Sequence, residues 1–424
     1  MTRRSTKSAS KTSSSGSQPR ALTLGGCVLL IIFIVVGLLG ALGVLPKSMM
    51  DWAATGIAQI IVTDGTPLAT QAPAATTVGA TSVPRTAVPG RPTSWLTVYF
   101  TDPATSSQRN ILDTAVLPVI TRARRTLDVA SFDLNLPKFI QALTDAKARG
   151  VTVRVVADEK NGAMTLDADK NNGVAFDALQ TLKKAGITVV DGGRSNGLMH
   201  NKIIIADGTT LFMGSWNASY NDTFTNNNNL LKITEPRLIA NYQAEFDDMF
   251  VNKIFGAKSQ LRSMLPVMTV DGTPVENYFA PRDRVMDKLI QETNKARCSI
   301  KFMIFTYTDE NLASQMISQA KLGVDVQGVI EARGASQGAL PSLFCAKQKL
   351  LQVKTDGNSA TMHHKVIIID EETVITGSFN FTKSADTAND DNLIIIRNSS
   401  VAALYLQEFD KVFGAGKTPT SVTC

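Results

Sequence analysis

Three histidines occur in the chain, at positions 200, 363 and 364, and two of them open the same pattern of residues. His200-Asn-Lys202-Ile-Ile-Ile-Ala-Asp207 is followed, six residues on, by Gly214-Ser215-Trp-Asn217. His363-His-Lys365-Val-Ile-Ile-Ile-Asp370 is followed at the same interval by Gly377-Ser378-Phe-Asn380. These residue types suit polar chemistry. An imidazole attacks electrophiles or carries a proton near neutral pH. An ammonium group supplies fixed charge, and hydroxyl and carboxamide groups supply hydrogen bonds that strengthen as charge builds in a transition state. A lone histidine is more often an ordinary core or surface residue. Here that reading needs every histidine in the chain to fall inside the motif by accident.

The spacing can be read as geometry. His and Lys two apart on a strand point to one face. Asp207-Gly208 is a two-residue hairpin signal, so 206 should pair with 209 and His200 should come opposite Ser215. The same fold about Asp370-Glu371 sets His363 opposite Ser378. Ser215, Asn217, Ser378 and Asn380 then lie beside the His/Lys pairs, while Asp207 and Asp370 sit at the turns in a structural role. His364 falls on the other strand face and is expected to pack. The apolar runs after each lysine read as buried strand.

Positioning these residues is the task of a repeated architecture. Each half opens with an aromatic-Phe strand and a helix (Val98-Tyr-Phe100 then Ile111 onward; Asn277-Tyr-Phe279 then Val285 onward). Each continues with a strand flanked by basic residues (126–132; 299–305) and a helix ending at glycine that runs into another strand (150–157; 323–330). The motif hairpin and a closing helix (Tyr242-Gln-Ala-Glu-Phe246; Tyr405-Leu-Gln-Glu-Phe409) complete it. Strands alternating with helices predict an α/β sandwich in each half, 95–255 and 274–413, and the halves should pack as a pseudo-dimer.

These motifs match the HKD motif of the phospholipase D superfamily, and the resemblance extends over nearly all of Trp95–Phe413. The second half, with Met362-His-His-Lys and Thr376-Gly-Ser-Phe-Asn-Phe-Thr382, looks like the bacterial nuclease and cardiolipin-hydrolase branch. The resemblance implies a phosphoric diester hydrolase with one site shared between two phospholipase D-like halves, working in two steps without metal or other cofactor. It assigns the nucleophile, and hence a phosphohistidine, to His200 and the acid/base to His363. Lys202, Lys365, Asn217 and Asn380 would attend the phosphoryl oxygens. Family members often carry an acidic residue 28 positions after the motif histidine. Here that position is Asp391 in the second half but Asn228 in the first. If partners cross over, as the resemblance implies, Asp391 serves His200 and Asn228 serves His363. The departure at Asn228 argues against a symmetric mechanism.

Composition bounds the substrate. The net charge of +6 resides in residues 1–94, which hold eight Lys/Arg and two acids; residues 95–424 hold 35 of each sign. The domain that would meet a substrate is therefore neutral, which weighs against nucleic acid as the preferred diester. Residues 1–20 are Ser-, Thr- and Lys/Arg-rich without an acid and read as a disordered basic tail. Residues 21–45 carry no charge, and at 1.5 Å per residue a helix of that length spans about 38 Å, enough for a bilayer core. The run exceeds the apolar core of a cleaved signal peptide, so it is expected to be a single-pass anchor with Arg3, Arg4, Lys7, Lys11 and Arg20 cytoplasmic. Residues 46–94, rich in Thr, Ala and Pro, read as a stalk, and 414–424 as a C-terminal tail. The catalytic part would then lie on the extracytoplasmic side of the cell membrane as a monomeric unit. Cys345 and Cys424 are candidates for a disulfide there, Cys298 reads as buried core, and no Cys/His spacing resembles a metal site. The leading function is phospholipid hydrolysis. A nuclease is the alternative, and a non-catalytic binding module is disfavoured because neither motif has lost its His or Lys.

Overall fold

The computed structural model describes residues 93–103, 110–166, 175–259, 265–420, 422 and 424. The basic tail, the apolar run 21–45 and nearly all of the stalk lie outside the described residues. Among the described residues no helix is long and apolar enough to cross a membrane.

The first half comprises β1 (Leu96–Phe100), β2 (Thr126–Ser131), β3 (Thr152–Ala157), the small hairpin β4 (Thr165–Leu166) and β5 (Phe176–Asp177), β6 (Thr188–Asp191), β7 (Ile203–Ala206), β8 (Thr210–Gly214) and β9 (Asn229–Ile233). The second comprises β10 (Val267–Val270), β11 (Thr273–Ala280), β12 (Ser299–Ile304), β13 (Asp325–Ile330), β14 (Leu351–Thr355), β15 (Lys365–Ile369), β16 (Thr373–Gly377) and β17 (Asp391–Arg397). The first sheet runs β1-β9-β8-β7-β2-β3-β6 and the second β10-β11-β17-β16-β15-β12-β13-β14. Apart from β10 the two orders are the same, so the repeat in sequence is a repeat in topology.

The sheets are apolar on both faces, which is why the motif strands are unbroken runs of Ile and Val. Ile203 and Ile205 enter a core that also holds Val366, Ile368, Tyr242, Tyr405 and Phe409, and so joins the two halves. Ile204 and Ala206 point the other way, into a separate core with Phe139, Ile140 and Leu143 of the helix Pro137–Ala148. In the second half, Ile367 and Ile369 make the matching outer core with Leu312 and Met316 of the helix Glu310–Lys321. The closing helices Pro236–Phe250 and Ser399–Ala415 turn Tyr242, Phe246, Tyr405 and Phe409 into the shared core.

The motif hairpins differ from the sequence reading by one residue. The turns form at the expected places: Asp207 and Gly208 have φ of 54° and 66°, and Thr209 N–H donates to Ala206 O at 3.0 Å. The ladder, however, resumes with Ala206 opposite Thr210, leaving Thr209 as an extra, bulged residue. Asp370 and Glu371 repeat this at φ 52° and 57°, with Ile369 opposite Thr373. His200 therefore does not come opposite Ser215, nor His363 opposite Ser378. β7 begins only at Ile203. The residues before each motif strand pair with the other half instead: His200 N–H donates to Asp390 O, and His363 N–H to Asn227 O, both at 2.9 Å.

Asp207 and Asp370 hold these turns in place. The Asp207 carboxylate accepts the backbone N–H groups of Arg124, Arg125 and Thr126, and Asp370 accepts those of Arg297, Cys298 and Ser299. Each pins its hairpin to the start of the neighbouring central strand. Cys298 lies at that start, half-buried rather than in the core. Cys345 and Cys424 are disulfide-bonded. After the closing helix, Lys417 exchanges backbone hydrogen bonds with Thr355 at 2.7 and 2.9 Å, covering the edge of β14.

Candidate active site

The crossing of the halves brings the two motif histidines to one buried place. His200 Nδ1 lies 2.7 Å from Asp391 Oδ1, a residue of the other half. His363 Nδ1 lies 2.9 Å from Asn228 Oδ1, again across the halves. In each ring the Nδ1 contact leaves Nε2 as the nitrogen available to a substrate. Phe132 meets the His200 ring edge-on at 5.2 Å and Phe305 meets His363 at 4.8 Å. The same two phenyl rings lie under the ammonium groups, Lys202 at 5.5 Å and Lys365 at 4.7 Å from the centroids. Each Lys Nζ also donates to the carbonyl of its own motif histidine, at 2.9 and 2.8 Å. Four polar side chains and two aromatic rims thus form one site with approximate two-fold symmetry.

Ser215 and Ser378 stand behind the histidines, not beside them. Gly214 and Gly377, at φ 148° and 152°, turn the chain where a Cβ would meet the carbonyl oxygens of Asn229 and Asn392 at 2.4 and 2.2 Å. Past that turn Ser378 Oγ donates to Asp391 Oδ1 at 2.6 Å, and Ser215 Oγ to Asn228 Oδ1 at 2.9 Å. Each serine therefore serves the histidine of the opposite half. Ser215 also fixes the Asn228 amide. Its oxygen accepts the Asn229 N–H, so its single proton goes to Asn228 Oδ1. The amide nitrogen turns to the Asp222 carbonyl at 3.2 Å. An oxygen facing His363 makes Nδ1 the protonated nitrogen.

The two motif asparagines differ. Asn380 Oδ1 is buried without a partner among the described residues. Asn217 is engaged: its backbone N–H and side-chain nitrogen both donate to Asp222 Oδ2, at 2.8 and 2.7 Å, and its oxygen accepts the Asp133 N–H. Asp222 was not singled out by the sequence. It stands five residues after Asn217, where the second copy has Ala385, and its Oδ2 lies 3.6 Å from His363 Nδ1. Phe132 and Phe305 stand in the sequence only as strand residues. The repeat contained a signal for both kinds: Phe recurs at the end of the equivalent strands, and Asp222 breaks the repeat. Asp158 and Glu331 were also missed. They accept the backbone N–H groups of Met199 and Met362, fixing the segment before each histidine.

His364 packs, but as a polar tie. Its ring lies between Asn229 Oδ1 at 3.3 Å and Glu408 Oε1 at 3.2 Å. The equivalent Asn201 bonds Glu245 and Asn392. The residue between His and Lys thus joins a closing helix to the opposite half.

Electrostatically the site favours an anion. Burial and the neighbouring ammonium of Lys202 depress His200, against the opposing pull of Asp391. Burial first, then Lys365, Lys202, His200 and His364, push His363 well below the ordinary histidine range. Burial brings Lys202 down to about 8 and holds Lys365 well below the lysine range. Burial alone would raise the Asp391 carboxyl, but His200, Ser378 and Lys202 together hold it below its usual value. Four groups whose cationic forms oppose one another relax together when a phosphoryl anion arrives. Among the described residues no group of three His, Cys, Asp or Glu is arranged to hold a metal ion.

Comparison with known proteins follows the same lines. A family model described as "Cardiolipin synthase, PLD-like domain" matches residues 116–250 and 289–413. The phospholipase D of Rickettsia prowazekii (strain Madrid E) is 29% identical over 164 residues, 39% of this chain and 80% of that protein. The mitochondrial cardiolipin hydrolase of Xenopus tropicalis is 33% identical over 136 residues, 32% of this chain and 59% of that protein. The crystal structure of phosphatidylserine synthase from Haemophilus influenzae superposes on 76% of this chain and 87% of its own, with a TM-score of 0.59 at 13% identity, a likeness of fold.

Proposed function

We propose a function for this chain from the premise that it belongs to the phospholipase D superfamily, whose PLD-like domain it carries twice. The chain is a phosphodiester hydrolase that acts on phospholipids, releasing phosphatidic acid and the headgroup alcohol. The observation that carries this reading is the crossed imidazole pair, one backed by a carboxylate and the other by an amide.

The steps follow from that pair. His200, neutral because burial and Lys202 disfavour its cation, attacks phosphorus through Nε2 while Asp391 accepts the Nδ1–H. Burial and the surrounding cations oppose a positive His363 more strongly still, so His363 enters protonated together with the phosphodiester, whose negative charge offsets them. It gives its Nε2 proton to the leaving oxygen as the P–O bond breaks and the N–P bond forms. The free alcohol departs, and His363 is neutral. Water then loses a proton to His363 Nε2 as its oxygen bonds to phosphorus. The N–P electron pair returns to His200, and the monoester leaves with His363 protonated again. Lys202 and Lys365 attend the phosphoryl oxygens, with hydrogen bonds from Asn217 and Asn380.

The neutral outer part of the chain and the cardiolipin-hydrolase relatives support a lipid rather than a nucleic acid. The test is the full chain in detergent with EDTA, offered mixed phospholipid vesicles and single-stranded DNA. Headgroup release without strand cleavage is expected. DNA cleavage without lipid turnover would move the function to a nuclease. Turnover lost in EDTA and restored by a divalent cation would count against the two-histidine mechanism.

The same reading places the enzyme at the cell membrane, anchored through residues 21–45 with its catalytic part extracytoplasmic. The Cys345–Cys424 disulfide supports an oxidising compartment. Protease added to intact cells is expected to release a soluble, active fragment by cutting within 46–94. An intact chain under those conditions would invert the topology.

A further inference from the structure

The two halves distribute their carboxylates differently, and the difference is an exchange. In the second half position 391 is Asp and position 385 is Ala. At the equivalent places in the first half, position 228 is Asn and position 222 is Asp. Each motif histidine therefore keeps one carboxylate nearby from the opposite half, but at a different distance. His200 touches Asp391 at 2.7 Å, and His363 stands 3.6 Å from Asp222 with Asn228 in direct contact.

We propose that Asp222 is a positioning residue that lets His363 hold its proton, acting as the displaced counterpart of Asp391 and at the same time locking Asn217. The proposal rests on the acid/base role given to His363 above. The surroundings of His363 explain why it needs such a residue. Lys365, Lys202, His200 and His364 all oppose a positive imidazole, and Phe305 covers one side of the ring. Asn228 accepts the Nδ1–H but brings no charge. Among the described residues, Asp222 is the carboxylate within 4 Å of the ring.

The offset has a chemical purpose. Both Asp222 oxygens are already engaged, Oδ2 by the two nitrogens of Asn217 and Oδ1 by Asn226 Nδ2 at 2.6 Å. The carboxylate therefore offers charge through space without competing for the Nδ1 proton. A group that must release and recover a proton in each turnover is served by moderate stabilisation of its cation. Direct contact with a carboxylate would hold that proton more tightly. The same hydrogen bonds fix the Asn217 amide, so the residue that holds a phosphoryl donor in place also attends the proton donor.

Asp222→Asn removes the charge and keeps the shape. The chain has three histidines, so His363 can be followed by side-chain NMR titration of the full chain in detergent, with and without inorganic phosphate. An opposite charge at this distance is worth about one pH unit, so the pKa of His363 is expected to fall by about that much while His200 stays in place. The alkaline limb of the kcat/KM profile should move the same way, because activity needs His363 protonated. Adding Asn228→Asp to Asp222→Asn returns a carboxylate to direct contact and should bring both readouts back. A merely structural Asp222 predicts no such rescue. An unmoved His363 titration, a failed rescue, or a wild-type His363 neutral down to pH 4 in both states would overturn the proposal. If the His363 titration moves but the acid limb follows it, Asp222 keeps its assignment and the acid role of His363 fails.

Discussion

His363→Ala, given a phosphodiester with a nitrophenolate leaving group, is expected to release one equivalent of nitrophenol per site and then nearly stop. Such a leaving group needs no proton, so attack by His200 proceeds. The second step does need His363, because water must lose a proton as it attacks. The intermediate therefore accumulates as a phosphoryl adduct on residue 200, identified by mass spectrometry after quenching at alkaline pH. Steady turnover should fall by about 10²–10⁴, the usual worth of general acid–base catalysis. With a poor leaving group the burst should vanish as well. His200→Ala should give neither burst nor adduct with either substrate. An adduct on residue 363, or undiminished turnover in His363→Ala, would reverse or abolish the roles. The two losses will not add, since the histidines act as a unit.

The motif was legible because its chemistry and its folding make the same demands. The turn at Asp207-Gly208 and the Gly-Ser-x-Asn segment have local causes: left-handed turn residues and a glycine at φ 148°. The β-branched runs and the glycine-ended helices marked the sheet in the same local way. What escaped was set by non-local contacts. A turn signal does not say whether a bulge follows, so Thr209 and Glu372 shifted the register without leaving a mark in the sequence. Strand spacing makes Ser215 and Ser378 companions of their own His and Lys. Instead the backbone exchange at Asp390 and Asn227 delivers each serine to the opposite histidine. Phe132 and Phe305 ended apolar strands and carried no polar group to attract notice. Asp222 was hidden in the short polar helix Tyr220–Phe224, where its meaning appears only beside Ala385 and with His363 3.6 Å away.

The crossed partners also decide what Asp391→Asn should do. An amide can present nitrogen to His200 and donate to Nδ1. That would force the proton onto Nε2 and disable the nucleophile, the tautomer failure that costs about 10⁴ in kcat at a serine protease triad. Here Ser378 opposes it. Its oxygen accepts the Asn392 N–H and its proton points at residue 391, as Ser215 points at Asn228 in the other half. The new amide should therefore settle with oxygen toward His200, reproducing the arrangement already present around His363. Its nitrogen would occupy the place of Asp391 Oδ2, which is buried without a partner among the described residues. The tautomer survives, and only the charge that supports a positive His200 is lost. A contact carboxylate is worth about one to three pH units to its partner, so adduct formation should slow by roughly 10- to 10³-fold. Asn228→Ala removes no charge and should slow that step less. Asp391→Asn combined with Ser378→Ala frees the amide to turn, and the loss should then approach the roughly 10⁴ of a wrong tautomer. Pre-steady-state rates of the nitrophenol burst separate the three variants. If Ser378→Ala adds nothing to Asp391→Asn, the serine does not orient residue 391. If Asn228→Ala slows the burst more than Asp391→Asn, the carboxylate serves the other histidine and His200 is not the nucleophile.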